Sequence, residues 1–170
     1  PGDFSATSGG GIAQLQSFGA MLIDVRDSNN VRYGLAPGST STIRIPVSTR
    51  SANVPETIPL FYFDDSTGRW VQDGEATLAG TGSDRYYQGT VSRLSYWNAD
   101  LITETILVNG CVQTTAGQAV SNALVTSDGI DYSGSSLVYT GTDGKFSLPI
   151  QKNGKSTVTA AVGTQLTNTV

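Results

Sequence analysis

Hydrophobic and polar residues alternate with a period of two along much of the chain. The alternation is clearest over residues 21–26, 42–47 and 88–97. Because successive side chains of a strand point to opposite faces, this period is typical of strands with one buried face. No segment shows the longer period of an amphipathic helix. The sequence therefore predicts an all-β fold without a helix longer than about two turns.

Turn sequences separate the alternating runs. Residues 64–68 lie between two aromatic-rich runs and predict a hairpin, with Gly68 at the left-handed position of its loop. The pair Asp143-Gly144 predicts another hairpin. Pro46 cannot donate a ladder hydrogen bond, so it marks a strand end or a sheet edge. Short strands separated by turns every ~8–12 residues predict sandwiches or open barrels.

The alternation changes register after residue 100, and residues 101–105 form a short connector. We therefore predict two tandem β-sandwich modules, which cover residues 1–101 and 102–170. In the second module, strands are expected at residues 106–114, 123–125, 137–140, 145–150 and 158–162. Since the chain begins with Pro1 rather than Met, we expect further sequence before the first module.

Composition favours a location outside the cytoplasm. Charged residues make up only 14% of the chain, against about 25% of an average soluble domain. Small hydroxyl and amide residues take their place, as in extracellular β proteins with a neutral surface. We expect an extracytoplasmic protein: exposed on the cell surface, held there by a lipid, periplasmic or secreted.

Charge and hydropathy argue against two classes of partner. The formal net charge is -4, so no cationic stripe is available to displace counterions from nucleic-acid phosphates. No apolar run approaches the ~20 residues that a membrane-spanning helix needs. The expected partners are other domains of the same chain and a protein or glycan ligand.

Candidate catalytic chemistry is sparse. The chain contains no histidine, which removes the commonest general base and the usual zinc ligand. Asp64 and Asp65 are a candidate carboxylate pair, but adjacent residues of a hairpin loop point in different directions. None of the lysines has a serine three residues before it. We therefore predict a non-enzymatic chain with no catalytic residue and no cofactor.

Two further features bear on reactive thiols and metals. Cys111 is the single cysteine and lies in an apolar run, so no disulfide can form within the chain, and we expect a small buried side chain.

Asp128 and Asp131 lie in a loop whose carboxylates and carbonyls suit calcium. A plain surface loop is the favoured interpretation, and calcium is the one candidate metal.

The aromatic residues of the first module allow two interpretations. An outward-facing row would form a platform for stacking sugars, whereas an inward-facing set would fill the ~10 Å layer between two sheets. The candidate platform residues are Tyr62, Tyr86, Tyr87 and Tyr96. Trp70 and Trp97 flank a turn and the end of the module, and we expect both to be buried.

Residues 58–76 and 91–98 carry a distinctive pattern, IPLFYFDDSTGRWVQDGEA followed by VSRLSYWN. This pattern resembles a segment found in bacterial surface proteins and in cartilage intermediate layer protein. The resemblance covers roughly residues 15–100. It implies a β-sandwich module.

The closing run, residues 91–98, is also similar to that of the β-sandwich domains of ankyrins and netrin receptors. Some relatives of those domains cleave themselves at a His-Phe-Ser tripeptide, where the serine attacks the preceding peptide bond. Here Arg93-Leu94-Ser95 aligns with the tripeptide. Because arginine stays protonated it cannot act as the base, and we predict that the chain does not cleave before Ser95.

Four short runs carry a second resemblance: VNGCV, AGQAV, NALV and TDGKFSL, at residues 108–112, 116–120, 122–125 and 142–148. They resemble a carboxypeptidase regulatory-like domain of the transthyretin-like, or prealbumin-like, sandwich type. Modules of this type accompany other domains as spacers or assembly units, so the resemblance implies a structural role for residues 102–170.

The sequence thus predicts a non-enzymatic structural or adhesive module pair of a larger extracytoplasmic bacterial protein. The alternative is a carbohydrate-binding module that uses the aromatic residues of the first module. An enzyme would need catalytic groups from other parts of the longer protein.

Overall fold

The computed structural model describes residues 5–8 and 11–167, with side chains from Gln14 onward. The chain divides into two compact units, Pro1–Ile102 and Thr103–Val170, called here the first and second unit. Within the described residues the regular structure is almost entirely strand, and the one helix is a 3₁₀ turn at Gly82–Asp84. The predicted all-β class is confirmed, and no described helix exceeds two turns.

The described part of the first unit contains nine strands. They are β1 (Ser5–Ser8), β2 (Gly11–Leu22), β3 (Val25–Arg26), β4 (Arg32–Tyr33), β5 (Ser41–Pro46), β6 (Thr57–Asp64), β7 (Arg69–Ala79), β8 (Tyr86–Val91) and β9 (Tyr96–Thr103). β3 and β4 pair only with each other and form a separate small hairpin.

Seven strands of the first unit form one curled sheet in the order β1-β2-β9-β6-β7-β8-β5. β1 also pairs in parallel with β7, so β1, β2, β9, β6 and β7 form a closed ring. β5 is the strand at the other end of the order, and it ends at Pro46. The prediction that Pro46 marks a strand end or an edge is confirmed.

Because successive side chains along each strand point to opposite faces, this sheet has two hydrophobic clusters, one on each face. In β6, Leu60 belongs to the larger cluster, whereas the next residue, Phe61, belongs to the smaller one. Trp97 is fully buried in the larger cluster, and Trp70 is 4% exposed in the smaller one. Both tryptophans are therefore buried framework residues, as predicted.

The β6–β7 hairpin forms where the turn sequence predicted it. The backbone of Gly68 has φ 67°, which is the left-handed region that glycine adopts without a steric penalty. Asp64 completes the turn, since its carboxylate accepts hydrogen bonds from the backbone N–H and the hydroxyl of Ser66, at 2.9 and 2.7 Å. An aspartate at this position therefore serves the turn itself.

Several expectations about strand boundaries are wrong. Residues 21–26 are divided between β2 and β3, and the strand expected at residues 106–114 ends at Cys111. Residues 88–97 are not one strand, because β8 ends at Val91 and β9 begins at Tyr96. The intervening backbone turns, and Trp97 Nε1 donates to the carbonyl of Arg93 at 3.2 Å across it. The connector expected at residues 101–105 is also strand, because β9 continues through Thr103.

The second unit contains six strands in its described part. They are β10 (Thr105–Cys111), β11 (Leu124–Gly129), β12 (Ser135–Tyr139), β13 (Lys145–Gln151), β14 (Ser156–Val162) and β15 (Gln165–Leu166). β10 pairs with β13, and the other four form a sheet in the order β12-β11-β14-β15. The buried core of this unit consists of Val112, Ala123, Val125, Leu148 and Ala160.

Cys111 corrects the expectation of a buried thiol, because its side chain is exposed. In the pairing of β10 with β13, Val108 lies opposite the buried Leu148, and Gly110 lies opposite Phe146. These even-numbered positions face the core. Cys111 falls on the other face of the strand, since adjacent side chains point in opposite directions.

Candidate functional site

The four tyrosines of the predicted platform do not form one exposed surface. Tyr87 is fully buried in the larger cluster, so its inclusion in a sugar-stacking row is wrong. Its hydroxyl donates to the carbonyl of Pro55 at 2.8 Å. Burial, opposed by the nearby Arg85 charge, raises the pKa of Tyr87 to about 12. Tyr87 is therefore a structural residue that stays neutral.

Tyr62 lies at the surface of the larger cluster, with one face of its ring already occupied. The Arg93 guanidinium lies 3.8 Å from the ring centroid, and Arg93 also pairs with Asp73 at 3.5 Å. The Tyr62 ring contacts Trp97 at a centroid distance of 5.8 Å. A sugar could stack on Tyr62 only after displacing the Arg93 side chain.

Tyr86 and Tyr96 lie apart from Tyr62. Arg44 lies over Tyr86, 5.0 Å from its centroid, and is held there by a 2.9 Å hydrogen bond to Gln88. Tyr96 is half-buried against the smaller hydrophobic cluster, on the opposite face of the sheet. The structure therefore brings none of the three remaining platform residues together.

Ser95, for which we predict no self-cleavage, lies in the segment between β8 and β9. The Ser95 side chain is buried, and its hydroxyl donates to the carbonyl of Phe63 at 3.2 Å. The guanidinium of Arg93 contacts the ring of Tyr62 and the carboxylate of Asp73. In this arrangement the Ser95 hydroxyl proton is directed at a backbone carbonyl, which is not a general base.

The candidate calcium loop is held by contacts within the protein. Asp131 accepts a hydrogen bond from the backbone N–H of Lys155 at 2.8 Å. The Tyr132 side chain is buried, with its ring close to the backbone of Gly129 and Gly154. Among the residues that the structure describes, no group of three or more His, Cys, Asp or Glu side chains is placed to hold a metal ion.

A groove in the second unit offers an open aromatic ring that the sequence analysis missed. It has a volume of about 610 Å³ and is lined by Asn109, Gly110, Val138, Tyr139, Lys145, Phe146 and Ser147. Tyr139 is 59% exposed. The signal was present in the sequence, because alternation with the inward-facing Val138 places Tyr139 on the outer side of β12.

No family model matches this chain, and no solved structure matches it. The described residues contain no helix that is long and apolar enough to span a membrane. The resemblances stated from the sequence therefore remain predictions.

Proposed function

We propose that this chain is a structural or adhesive module pair of a larger extracytoplasmic bacterial protein. The observation that carries the proposal is that aspartate carboxylates in the turns accept backbone hydrogen bonds and so fix the conformation of the loops. Asp27 accepts hydrogen bonds from the backbone N–H groups of Asn29 and Val31, each at 2.9 Å. Asp143 accepts one from Lys145 N–H at 3.1 Å. Such contacts hold loops in fixed positions, which suits modules that present a surface.

The β3–β4 hairpin is the best candidate for a contact surface in the first unit. Val25, Val31 and Tyr33 are 48%, 53% and 52% exposed. Asp24 forms ion pairs with both arginines of the hairpin, Arg26 at 2.9 Å and Arg32 at 3.4 Å. Exposed apolar side chains on a rigid support are typical of protein contact sites, because little conformational entropy is lost on binding.

An adhesion assay tests this proposal. Beads coated with the chain are applied to bacterial and host-cell surfaces, and attachment is counted for the wild type and for a Val31→Ser/Tyr33→Ser variant. We expect the wild type to attach and the variant to attach at least several-fold less. Tyr139→Ala is the matched control, since it removes an exposed tyrosine of the second unit. Equal attachment of wild type and hairpin variant would contradict the contact surface.

A carbohydrate-binding function is the second candidate, and the Tyr139 groove supports it. An exposed tyrosine beside Asn109, Lys145 and Ser147 offers a stacking face together with hydrogen-bonding groups for sugar hydroxyls. Binding to a glycan array that is lost in Tyr139→Ala and kept in Tyr33→Ala is the expected result for this function. An array without binding by the wild type excludes it for the glycans displayed.

A further inference from the structure

A buried carboxyl group lies in the first unit without a charged partner. Asp100 on β9 is fully buried, Asn98 on the same strand is 4% exposed, and Ser17 on the neighbouring β2 is 9% exposed. Strand alternation places Asn98 and Asp100 on one face of β9, opposite to Trp97. No sequence motif marks this cluster.

Asp100 accepts hydrogen bonds from Ser17, Asn98 and the backbone of Phe18, yet two oxygen atoms of the cluster have no partner among the described residues. Asn98 Nδ2 donates to Asp100 Oδ2 at 3.0 Å. Asn98 Oδ1 and Asp100 Oδ1 are buried and have no hydrogen-bond partner among the described residues. A buried acceptor without a donor is costly. A proton on Asp100 would convert one of these acceptors into a donor.

Among the described residues, no positively charged group contributes to the environment of Asp100. β2 contributes the Ser17 hydroxyl, and β9 itself contributes Tyr96 as its other titratable side chain on this face. On β7, the carboxylate of Glu75 lies opposite Pro59 of β6 and is exposed, and no charged group of β6 or β7 is among the causes of the Asp100 pKa shift. Residues 1–13, whose side chains are not described, contain no Lys or Arg.

These features change the acid–base behaviour of the carboxyl. Desolvation raises the pKa of Asp100 to about 7, against the opposing hydrogen bonds from Ser17, Asn98 and the backbone N–H of Phe18. A carboxyl with this value is protonated in mildly acidic conditions and ionised in mildly alkaline ones, whereas an exposed aspartate stays ionised throughout.

We propose that Asp100 is a pH-sensitive contact that stabilises the pairing of β2 and β9 while it is protonated and weakens that pairing when it ionises. In the protonated state the cluster is neutral and gains a donor for its unpartnered oxygens. After ionisation, the contacts that the described residues offer to the buried negative charge are neutral hydrogen-bond donors, from Ser17, Asn98 and the backbone of Phe18. The free energy of unfolding of the first unit is therefore lower above neutral pH than below it.

The sign follows from the two states of Asp100. Its pKa is about 7 in the folded chain and about 3.9 in an unfolded one. Between these values the folded state binds one more proton, so stability is greatest below the lower value and falls as pH rises. The unfolding equilibrium constant of the first unit should rise about tenfold per pH unit up to pH 7 and then level off.

Tryptophan fluorescence during urea unfolding at pH 5 to 8 tests the proposal on the whole chain. Both tryptophans, Trp70 and Trp97, lie in the first unit, so the signal reports that unit alone. We expect the unfolding constant to increase roughly a hundredfold between pH 5 and pH 8. Asp100→Asn should abolish most of this dependence, and the exposed Asp65→Asn should retain it. A wild-type constant independent of pH, or an unchanged dependence in Asp100→Asn, would overturn the proposal.

Infrared spectroscopy keeps the proposal testable if Asp100→Asn does not fold. The folded wild-type chain at pH 5.5 should show the C=O stretching band of one protonated carboxylic acid, which disappears as pH rises to 8.5. Absence of that band at pH 5.5 would show that Asp100 is already ionised and would refute the proposed contact.

Discussion

At the scale of single residues, Gly110 shows how closely the second unit is packed. A Cβ atom at Gly110 would lie 2.6 Å from Cζ of Phe146, well inside van der Waals contact. Gly110→Ala should therefore lower the free energy of unfolding of the second unit by about 1–3 kcal/mol, the usual cost of overpacking. Thermal unfolding followed by circular dichroism measures this.

Gly34→Ala is the control for that substitution, because no atom lies within 4 Å of its added Cβ. Gly34→Ala should leave the free energy of unfolding of both units unchanged. A Gly110→Ala variant as stable as the wild type would show that the Phe146 ring moves aside at no cost.

Of the single-residue substitutions considered, Trp97→Ala has the largest expected loss of stability. The side chain is fully buried, and the Nε1–H donates to the carbonyl of Arg93. Trp97→Ala should therefore cost about 3–5 kcal/mol through lost burial and the cavity left behind. Urea unfolding followed by circular dichroism provides the measurement. A loss below about 1 kcal/mol, as for an exposed residue, would contradict the assignment of Trp97 to the core.

Cys111 gives a prediction that separates the structure from the sequence expectation. Because its thiol is exposed in the folded chain, it should react with a maleimide at nearly the rate seen in urea. Cys111→Ser should change the free energy of unfolding by less than about 0.5 kcal/mol, as is usual for exposed positions. A thiol that reacts only after unfolding would restore the buried interpretation.

Cys111 and Tyr87 also show where residue-level prediction stops. Both lie in alternating runs, so the sequence establishes that neighbouring side chains point to opposite faces. Which of the two faces is buried depends on the partner strand, and pairing partners come from distant parts of the chain. Tyr87 is on the buried face because its neighbours on the adjacent strands, Ile45 of β5 and Leu78 of β7, belong to or pack against the larger cluster. Composition and local pattern carry no information on that choice.

At the scale of elements, the sequence located hairpins better than it located long strands. The β6–β7 hairpin was predictable because glycine marks a left-handed turn position and aromatic runs flank it. β2, over Gly11–Leu22, was not predicted in full, because its first half consists largely of small and polar residues. Pairing with β1 and β9 overrides weak local preference there.

The segment between β8 and β9 contains the peptide bond for which we predict no self-cleavage. Ser95 donates its hydroxyl to Phe63 O, and the chain has no histidine to act as a base. General-base assistance is typically worth about 10²–10⁴-fold in rate, so the Leu94–Ser95 bond should remain intact. Intact mass spectrometry after long incubation at neutral pH should show one species. Two fragments that meet at Leu94–Ser95 would contradict the prediction.

At the scale of the whole molecule, the all-β class was predictable and the candidate binding surface was not. A period of two and frequent turns establish the class, since they are repeated along the chain. Alternation along β12 could have predicted the exposure of Tyr139, but the groove around it and the Asp100 cluster depend on side chains from strands that are distant in sequence. Ligand identity depends further on surface detail that one sequence does not encode in any recognisable motif.

The most direct test of the central proposal uses the whole protein in its cells. An in-frame deletion of residues 1–170 and the Val31→Ser/Tyr33→Ser variant are compared with the wild type for surface display, for attachment to host or neighbouring cells, and for turnover of any substrate. The proposal predicts normal display of the variant, reduced attachment in both mutants, and no loss of a catalytic activity. Normal attachment in both mutants, together with loss of a catalytic activity on deletion, would contradict a structural or adhesive role.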